Sequence, residues 1–422
     1  MVDNNLSKPK AIIVGAGIAG LAAAGILSPL CESIVIIDKD ALPDSAKPRK
    51  STVQSHHLHS LLIAGQNILE NIFPGISQNI ANAGGVVLRA GIDQSIFEFG
   101  AWMPKRDLGL TISAQSRSLL ESVVRQRVNQ LKNVTIMDST RVVSLAIEDN
   151  AVCGVHINDS AGNQSLITGD YVVDASGLSG TLAQKLNAQC PKIESTKEKV
   201  SSKIAYVTAI ITKPENWRST KENVLVVAEP HQTCGGALLD IENDCWVVSM
   251  NGRNGVEPPT DIEGWKDYAR QLPSPAIWER IKDCAISDKL HKFSKAHSYL
   301  RRFDLVENLP TAYFPIGDTI NSVNPTFGQG MALALGHAEE LGQALVDGLN
   351  DDSQRDYLKR ATKRSQKAWR QTVAYESMFA EMDENSRNKF QLLQSLVLNK
   401  HKRALHDEKV HLELFKRAQM LD

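Results

Sequence analysis

The sequence is poor in the features that mark several large classes of protein. Its 422 residues hold six cysteines (Cys31, Cys153, Cys190, Cys234, Cys245 and Cys284), scattered and without a C-x-x-C pair. That excludes a disulfide-stapled scaffold and a cysteine-ligated structural zinc, and the reduced pattern points to the cytoplasm. Neither sign of charge prevails: Lys and Arg number 47 against 48 Asp and Glu, a formal net charge of −1. No global basic field is offered to nucleic acid. No internal period or low-complexity block interrupts the chain. One long apolar stretch exists, Ala11 to Leu30, after a polar start, MVDNNLSKPK. Its closely spaced glycines and Pro29 make it a poor signal peptide or membrane span.

What is present is a globular composition, 42% hydrophobic and 23% charged, in a chain long enough for more than one domain. Lys10–Val14 is a β-branched apolar run that ends in Gly15-Ala-Gly17-Ile-Ala-Gly20. Helix formers follow to Leu27, then a second run, Ser33–Ile37, closing on Asp38. This order is strand, glycine turn, helix, strand, a βαβ unit. In G-x-G-x-x-G, Gly15 permits the tight turn, Gly17 lets a pyrophosphate approach the backbone, and Gly20 lets helix and strand pack closely. The helix N-terminus favours phosphate charge, and Asp38 stands where a carboxylate accepts from a ribose diol. A glycine-rich turn that merely packs two elements explains the glycines but not Asp38.

Further along, residues 40–55 read as loop, and helical spacing returns from His59 to Phe73 and over Gln115–Leu131. Arg141–Ile147, Val152–Ile157 and Ser165–Val173 read as a β-meander. Ser202–Thr212, Asn223–Ala228 and Cys245–Met250 suggest strands of a second, mixed sheet, with helical segments near 263–270 and 275–284. Ala312–Gly317 is a last strand; Gln329–Leu349 and most of Tyr357–Asp422 are helical. The fold expected is α/β: a discontinuous Rossmann-type domain over 1–195 and 300–350, with substrate-domain segments around 75–115. A mixed substrate sheet over 196–300 and a helical region over 351–422 complete it.

A second motif separates the dinucleotides. Tyr313-Phe-Pro-Ile-Gly317-Asp318 ends a buried strand with a carboxylate, and Asn324-Pro-Thr-Phe-Gly328-Gln-Gly330-Met331 opens a long helix. A carboxylate there suits the polyhydroxylated ribityl chain of FAD, which NAD lacks, and the helix N-terminus suits the charge that reduced flavin develops.

With these residues in view, the chain resembles the FAD-dependent monooxygenases of the para-hydroxybenzoate-hydroxylase-like fold, near the polyether-type polyketide epoxidases. The resemblance runs from Lys10 to about Leu345. It includes GAGIAG (15–20), Asp38, RKSTVQSHHLHSLL (49–62), Ser116-Arg117-Ser-Leu-Leu-Glu121, Val173-Asp174-Ala-Ser-Gly177 and GD…NPTFGQGM (317–331). It implies that Gly15, Gly17 and Gly20 hold the pyrophosphate and Asp38 the adenosine ribose. Arg49 and Arg117 would lie along the pyrophosphate or ribityl region, and Val142 would meet the adenine with its backbone. Asp318 would take the ribityl hydroxyls, with Gly317 beside it among the cofactor-binding residues. Pro325, Gly328 and Gly330 would sit beside the isoalloxazine. Asp174, followed by Ala175 where the family often has Gly, would contribute from behind.

The family implies non-covalent FAD and an oxygen atom delivered from O₂ by a flavin C4a-hydroperoxide. The acceptor would be a hydrophobic polyketide, terpenoid or aromatic substrate, epoxidised or hydroxylated. A second G-x-G-x-x-G unit is missing, so NAD(P)H would meet the flavin transiently or a separate flavin reductase would supply electrons. The tryptophans never form the Trp-x-Trp-x-Ile-Pro element of flavin halogenases. His56, His57 and His59 lack further ligands at metal-binding spacing, so no metal is expected. No catalytic acid or base is assigned. A geranylgeranyl-reductase-like enzyme would use the same cofactor residues, and a non-catalytic flavin-binding protein is the reading from another class. From Ser386 to Asp422, apolar residues at helical spacing (Phe390, Leu393, Leu396, Val397; Val410, Leu414, Phe415) stand among basic ones. A stripe packing on the FAD domain is expected in preference to contact with a membrane.

Overall fold

In the computed structural model of the chain, which describes residues 8–49, 51–188, 190–229, 231–286, 289–379 and 395–421, the first apolar run becomes the central strand of a parallel sheet. Lys10–Val14 pairs on one side with Ser33–Ile37 and on the other with Tyr171–Asp174. Tyr313–Pro315 and Val134–Met137 complete five strands, all parallel. Both faces are covered, which is why these strands read as continuous apolar runs. The helix Ile18–Leu27 lies against Gln329–Leu345, so close that a Cβ on Gly342 would stand 2.2 Å from Ile26. On the other side Val152, Val155 and Ile157 of the meander join the same core.

The segment expected as one strand, Ser165–Val173, is two. Gln164–Thr168 pairs antiparallel with Ala151–Asn158, whereas Tyr171–Asp174 enters the parallel sheet. The corner is Gly169-Asp170: Gly169 passes close to Ile12, and the Asp170 carboxylate accepts from the Lys10 N–H at 2.6 Å. One apolar run thus serves two sheets because a glycine lets the chain turn against the neighbouring strand.

The second sheet has eight strands, in the order Asn321–Ser322, His291–Leu300, Glu198–Thr212, Cys245–Arg253, Cys234–Ile241, Asn223–Val226, Gln94–Glu98, Ala101–Trp102. It draws on residues before 196 and after 300. Two of its strands escape a periodicity reading. Cys234–Ile241 begins with paired glycines, and His291–Leu300 is largely polar because much of it is open to solvent. Its outer face packs on Ile262–Arg270 and Ala276–Ile281, with Trp246 and Trp265 fully buried between. The Trp265 indole donates to the Val207 carbonyl at 3.0 Å, which satisfies its buried N–H.

The long helix Asp351–Ser377 starts on a capping box made by Asn350 and Ser353. Of the C-terminal stripe, Phe390 and Leu393, with Arg387 and Lys389, lie outside the described residues. Leu396 and Val397 are exposed. Val410 and Phe415, on the helix Glu408–Ala418, are buried. Phe415 packs against Leu88, Ile112, Leu239 and Val247, so the stripe covers the substrate sheet and its neighbouring hairpin, not the FAD-binding core. Apolar area there was left uncovered by the sheet itself, and the tail closes it. Arg106 donates to the carbonyls of Ala404 and Leu405, and Gln419 accepts the Ile63 and Ala64 N–H groups at the start of Ile63–Ile72. Among the described residues no helix is long and apolar enough to cross a membrane.

One docking contact titrates. His401 Nε2 lies 2.8 Å from the Glu98 carboxylate. Burial pulls the His401 pKa down, but the hydrogen bond and charge of Glu98 outweigh it and raise the value above 6.5. A raised native pKa contributes stability fully below the unfolded value and loses it as pH rises through the native one. Hydrogen exchange of residues 395–404, corrected for intrinsic rates, should therefore be faster at pH 9 than at pH 6. In His401→Gln that difference should vanish; its persistence would show that the pair does not fasten the segment.

Candidate active site

The glycine turn is built by close approach. Gly15 has φ +111°, and a Cβ there would stand 2.5 Å from the Ala175 carbonyl oxygen. A Cβ on Gly20 would stand 1.9 Å from the Gly15 oxygen, so Gly20 serves packing and does not line the cavity. The helix that follows is entered through Gly17 with no side-chain cap and no acid in its first turn. Its first N–H groups and the positive end of its dipole are left for an anion.

Beside this turn four charged side chains alternate in sign. Asp38 accepts from the Ala16 N–H at 2.7 Å, from the Asp40 N–H at 2.9 Å and from Arg49 at 3.1 Å. That leaves acceptor capacity for a ribose hydroxyl. Arg49, buried, also donates to Glu121 through Nε at 3.1 Å and Nη2 at 3.0 Å. Its Nη2 lies 3.6 Å from where a Gly17 Cβ would be, which places the fork against the fingerprint. Glu121 receives the Arg117 Nε–H at 2.8 Å. Burial alone would raise the Glu121 pKa, but Arg117 and Arg49 hold it below the usual carboxylate range. Glu121 was not among the residues expected at the site. Its signal was present, an arginine and a glutamate four apart on one helix face.

From here a cavity of about 2020 Å³ runs through the molecule, larger than the roughly 300–1,000 Å³ of one drug-sized ligand site. Gly15, Gly17, Asp38, Arg49, Arg117 and Val142 line one end. Val142 pairs with Ile157 beside a bulge whose extra residue is Val143, so backbone here is free of the ladder. Midway, Asp318 faces the cavity, and Pro325, Gly328 and Gly330 follow it. Burial raises the Asp318 pKa against the opposing charges of Lys295 and Arg117. A Cβ added to Gly330 would meet nothing within 4 Å. Lys295, which sequence reasoning missed on its polar strand, donates to the Val323 carbonyl. Burial pushes its pKa down to about 8, against the pull of Asp318 and Glu376.

Asp174 stands behind the cavity, where the resemblance put it, and Gly317, like Gly20, is off the cavity lining as well. Asp174 is fully buried and accepts from the Ser176 N–H at 3.0 Å, Tyr313 at 2.6 Å and Thr319 at 3.4 Å. These bonds hold the turn that carries Asp318. Gly317, φ +60°, lets that turn pass between Ala19 and Ala334.

The far end is floored by the substrate sheet. Register and the period of two place Ile96, Leu225, Ala237 and Ser249 in one row and Asn251, Tyr206 and Phe293 in the next, all facing the cavity. The floor is apolar toward the Ile96 edge and polar in the middle. His57 Nδ1 lies 2.8 Å from Thr208 Oγ1, which in turn lies 2.8 Å from Ser249 Oγ. Burial, with His291 and His56 nearby, pushes the His57 pKa down to about 4. The three histidines do not converge: His56 stacks on His291 at 4.0 Å, and His59 bonds the His57 carbonyl. Among the described residues no group of three His, Cys, Asp or Glu is placed to hold a metal ion. Leu414, Ala418 and His401 of the C-terminal segment roof this end.

Residues 8–375 match the family described as FAD binding domain. A Mycobacterium tuberculosis protein, Protein Rv3254, is 29% identical over 356 residues, covering 80% of this chain and 73% of that one. Among solved structures, p-nitrophenol 4-monooxygenase PnpA from Pseudomonas putida superposes with a TM-score of 0.71 at 15% identity, covering 97% of both chains. PqsL from Pseudomonas aeruginosa, a probable FAD-dependent monooxygenase, gives 0.68 at 16% identity, over 92% of this chain and 99% of that one. At such identities the likeness is one of fold.

Glu121 can be tested apart from any ligand. Glu121→Gln leaves the buried Arg49 and the partly buried Arg117 short of a counter-charge and should cost about 3–5 kcal/mol of unfolding free energy at pH 7. The wild type's advantage should be full above pH 4.5 and fall as pH drops through the depressed native value. Denaturant titrations at several pH values check both; equal stability at pH 7 would remove Glu121 from its place between the arginines.

Proposed function

We infer the function from one premise: the chain belongs to the FAD binding domain family and is a FAD-dependent oxidoreductase. We propose that it is a monooxygenase acting on an apolar substrate, with an alkene as the preferred acceptor. The observation that carries this is the continuity of the cavity, from the glycine turn past Asp318 and Pro325–Gly330 to the apolar sheet floor.

The residues fit the cofactor. The uncapped helix N-terminus and the remaining N–H groups of Arg49 and Arg117 suit the pyrophosphate, and Asp38 the adenosine ribose. Asp318 suits the ribityl hydroxyls, and the open face at Gly330 the ring. When bound, FAD supplies activation of O₂ and transfer of one oxygen atom. The chain's own work is to orient the substrate and keep water out. Ile96, Leu225 and Phe293 make the floor poor in hydrogen-bond partners for water, and Leu414 and Ala418 of the C-terminal segment line the same cavity.

The proton inventory favours an alkene over a phenol. His57, whose pKa burial lowers to about 4, is a poor base for a phenol. Burial raises the Tyr206 pKa, so it keeps its proton. Lys295 is engaged with the Val323 carbonyl near Asp318, on the cofactor side. Oxygen transfer to an alkene asks no base of the protein. Electrons would come from NAD(P)H meeting the flavin transiently or from a separate flavin reductase.

The purified protein should be yellow and release its colour to the supernatant on acid precipitation. Asp318→Asn should weaken FAD binding by about 10- to 150-fold, the loss of a charge-assisted hydrogen bond worth about 1.5–3 kcal/mol. Unchanged affinity would remove Asp318 from the cofactor. With reductant supplied, apolar alkenes should gain one oxygen atom by mass, whereas products heavier by two hydrogens alone would mark a reductase.

A further inference from the structure

A buried ion pair joins three parts of the molecule at the loop beside the cavity. Arg253 ends the strand Cys245–Arg253, and Glu376 sits near the end of Asp351–Ser377. They are 1% and 3% exposed. Arg253 Nη1 donates to Glu376 Oε2 at 2.7 Å, and Nη2 to Thr326 Oγ1 at 3.3 Å. The other Glu376 oxygen accepts from Asn324 Nδ2 at 2.6 Å. The Asn324 N–H donates to Thr372 Oγ1 at 3.1 Å, and Asn324 Oδ1 accepts the Thr326 N–H at 2.8 Å. The guanidinium lies over the rings of Tyr375 and Phe379, 4.7 and 4.5 Å from their centroids. Phe327 meets Tyr375 edge-on at 5.0 Å.

A buried ion pair is weak evidence for stability, since well-packed apolar residues often serve as well. What charges and a planar fork add is direction. Here every directed bond ends on Asn324 or Thr326, or on the pair itself.

We propose that Arg253 and Glu376 are positioning residues that clamp the Asn324–Gly330 loop, and through it the flavin ring, against the substrate sheet. The clamp couples sheet, loop and C-terminal helix, so the ring's edge and the floor that holds the substrate keep one spacing. This rests on the reading that the ring lies beside that loop.

The test uses the holoenzyme. Arg253→Met with Glu376→Leu removes both charges together and leaves neither charge unpaired, with the Asn324 Nδ2–H losing its acceptor, so the double variant should fold where either single variant could fail. Hydrogen exchange of residues 324–330 should quicken about tenfold or more while the parallel sheet stays protected. The visible circular dichroism of bound flavin should change, with FAD affinity held within about threefold, because the phosphate end is distant. Unchanged exchange in the folded double variant overturns the clamp. Loss of protection throughout the chain also overturns it, leaving a structural role only. Gly330→Leu tests the underlying reading separately by filling the space open at that position. If it leaves FAD affinity and dichroism unchanged, the ring is elsewhere and the proposal falls with that reading. If it changes them while the double variant does not, the ring is placed correctly and the clamp alone falls.

Discussion

The cofactor end depends on one buried carboxylate. Glu121 stands between Arg49 and Arg117 and satisfies both, so that two guanidinium groups can share a small buried volume. Without it they would repel each other, and Arg49 would have only Asp38 and Asp40 to orient it. Arg125 lies close as well, so Asp38, Asp40 and Glu121 balance three arginines. An anion here is therefore met by aimed donors, the N–H groups of the uncapped helix and the free edges of the arginine forks, and not by a surplus of positive charge. This agrees with a chain whose net charge is −1. In the proposed reading, selectivity for a pyrophosphate would come from geometry, since a diffuse positive field would take any anion.

The other end obeys the opposite constraint. In the proposed function the oxygen-transferring centre must be kept from water while an apolar molecule is held beside it, and that asks for a dry chamber with a few fixed polar groups. The eight-stranded sheet supplies the floor through its register. Its uncovered apolar surface is closed by Phe415 and the rest of the C-terminal segment, which reaches back to cap Ile63–Ile72 through Gln419. Between the two ends lies Asn324–Gly330, the place where the polar and apolar regimes meet and where sheet, loop and long helix are bonded together.

The βαβ unit was legible in the sequence because its information is local: a strand, a turn that only glycine can make, and an acid at the next strand's end. Asp318 and Gly330 were legible for the same reason. Less local facts were not. The corner at Gly169 looked like the middle of a strand, since sheet membership is decided by partners far along the chain. His291–Leu300 carries too few apolar residues to announce a strand, yet it is the rail on which Lys295 stands. Asp174 was expected to act from behind the site, but the partners through which it does so, Tyr313 and Thr319, lie 139 and 145 residues away, beyond any spacing rule. Arg253 and Glu376 are 123 residues apart, and no spacing rule connects them. The C-terminal stripe was visible as a stripe, whereas the surface it covers depends on which sheet face was left bare.

The central claim is that one continuous cavity holds the cofactor at its polar end and the substrate at its apolar end. A crystal structure of the protein with FAD tests it most directly. The account predicts the pyrophosphate at the start of Ile18–Leu27, the ribityl chain along Asp318, and the ring between Pro325–Gly330 and Phe293, with the sheet floor still open beyond it. A ring lodged outside that junction, or one that fills the apolar floor and leaves no room for a second ligand, would contradict it.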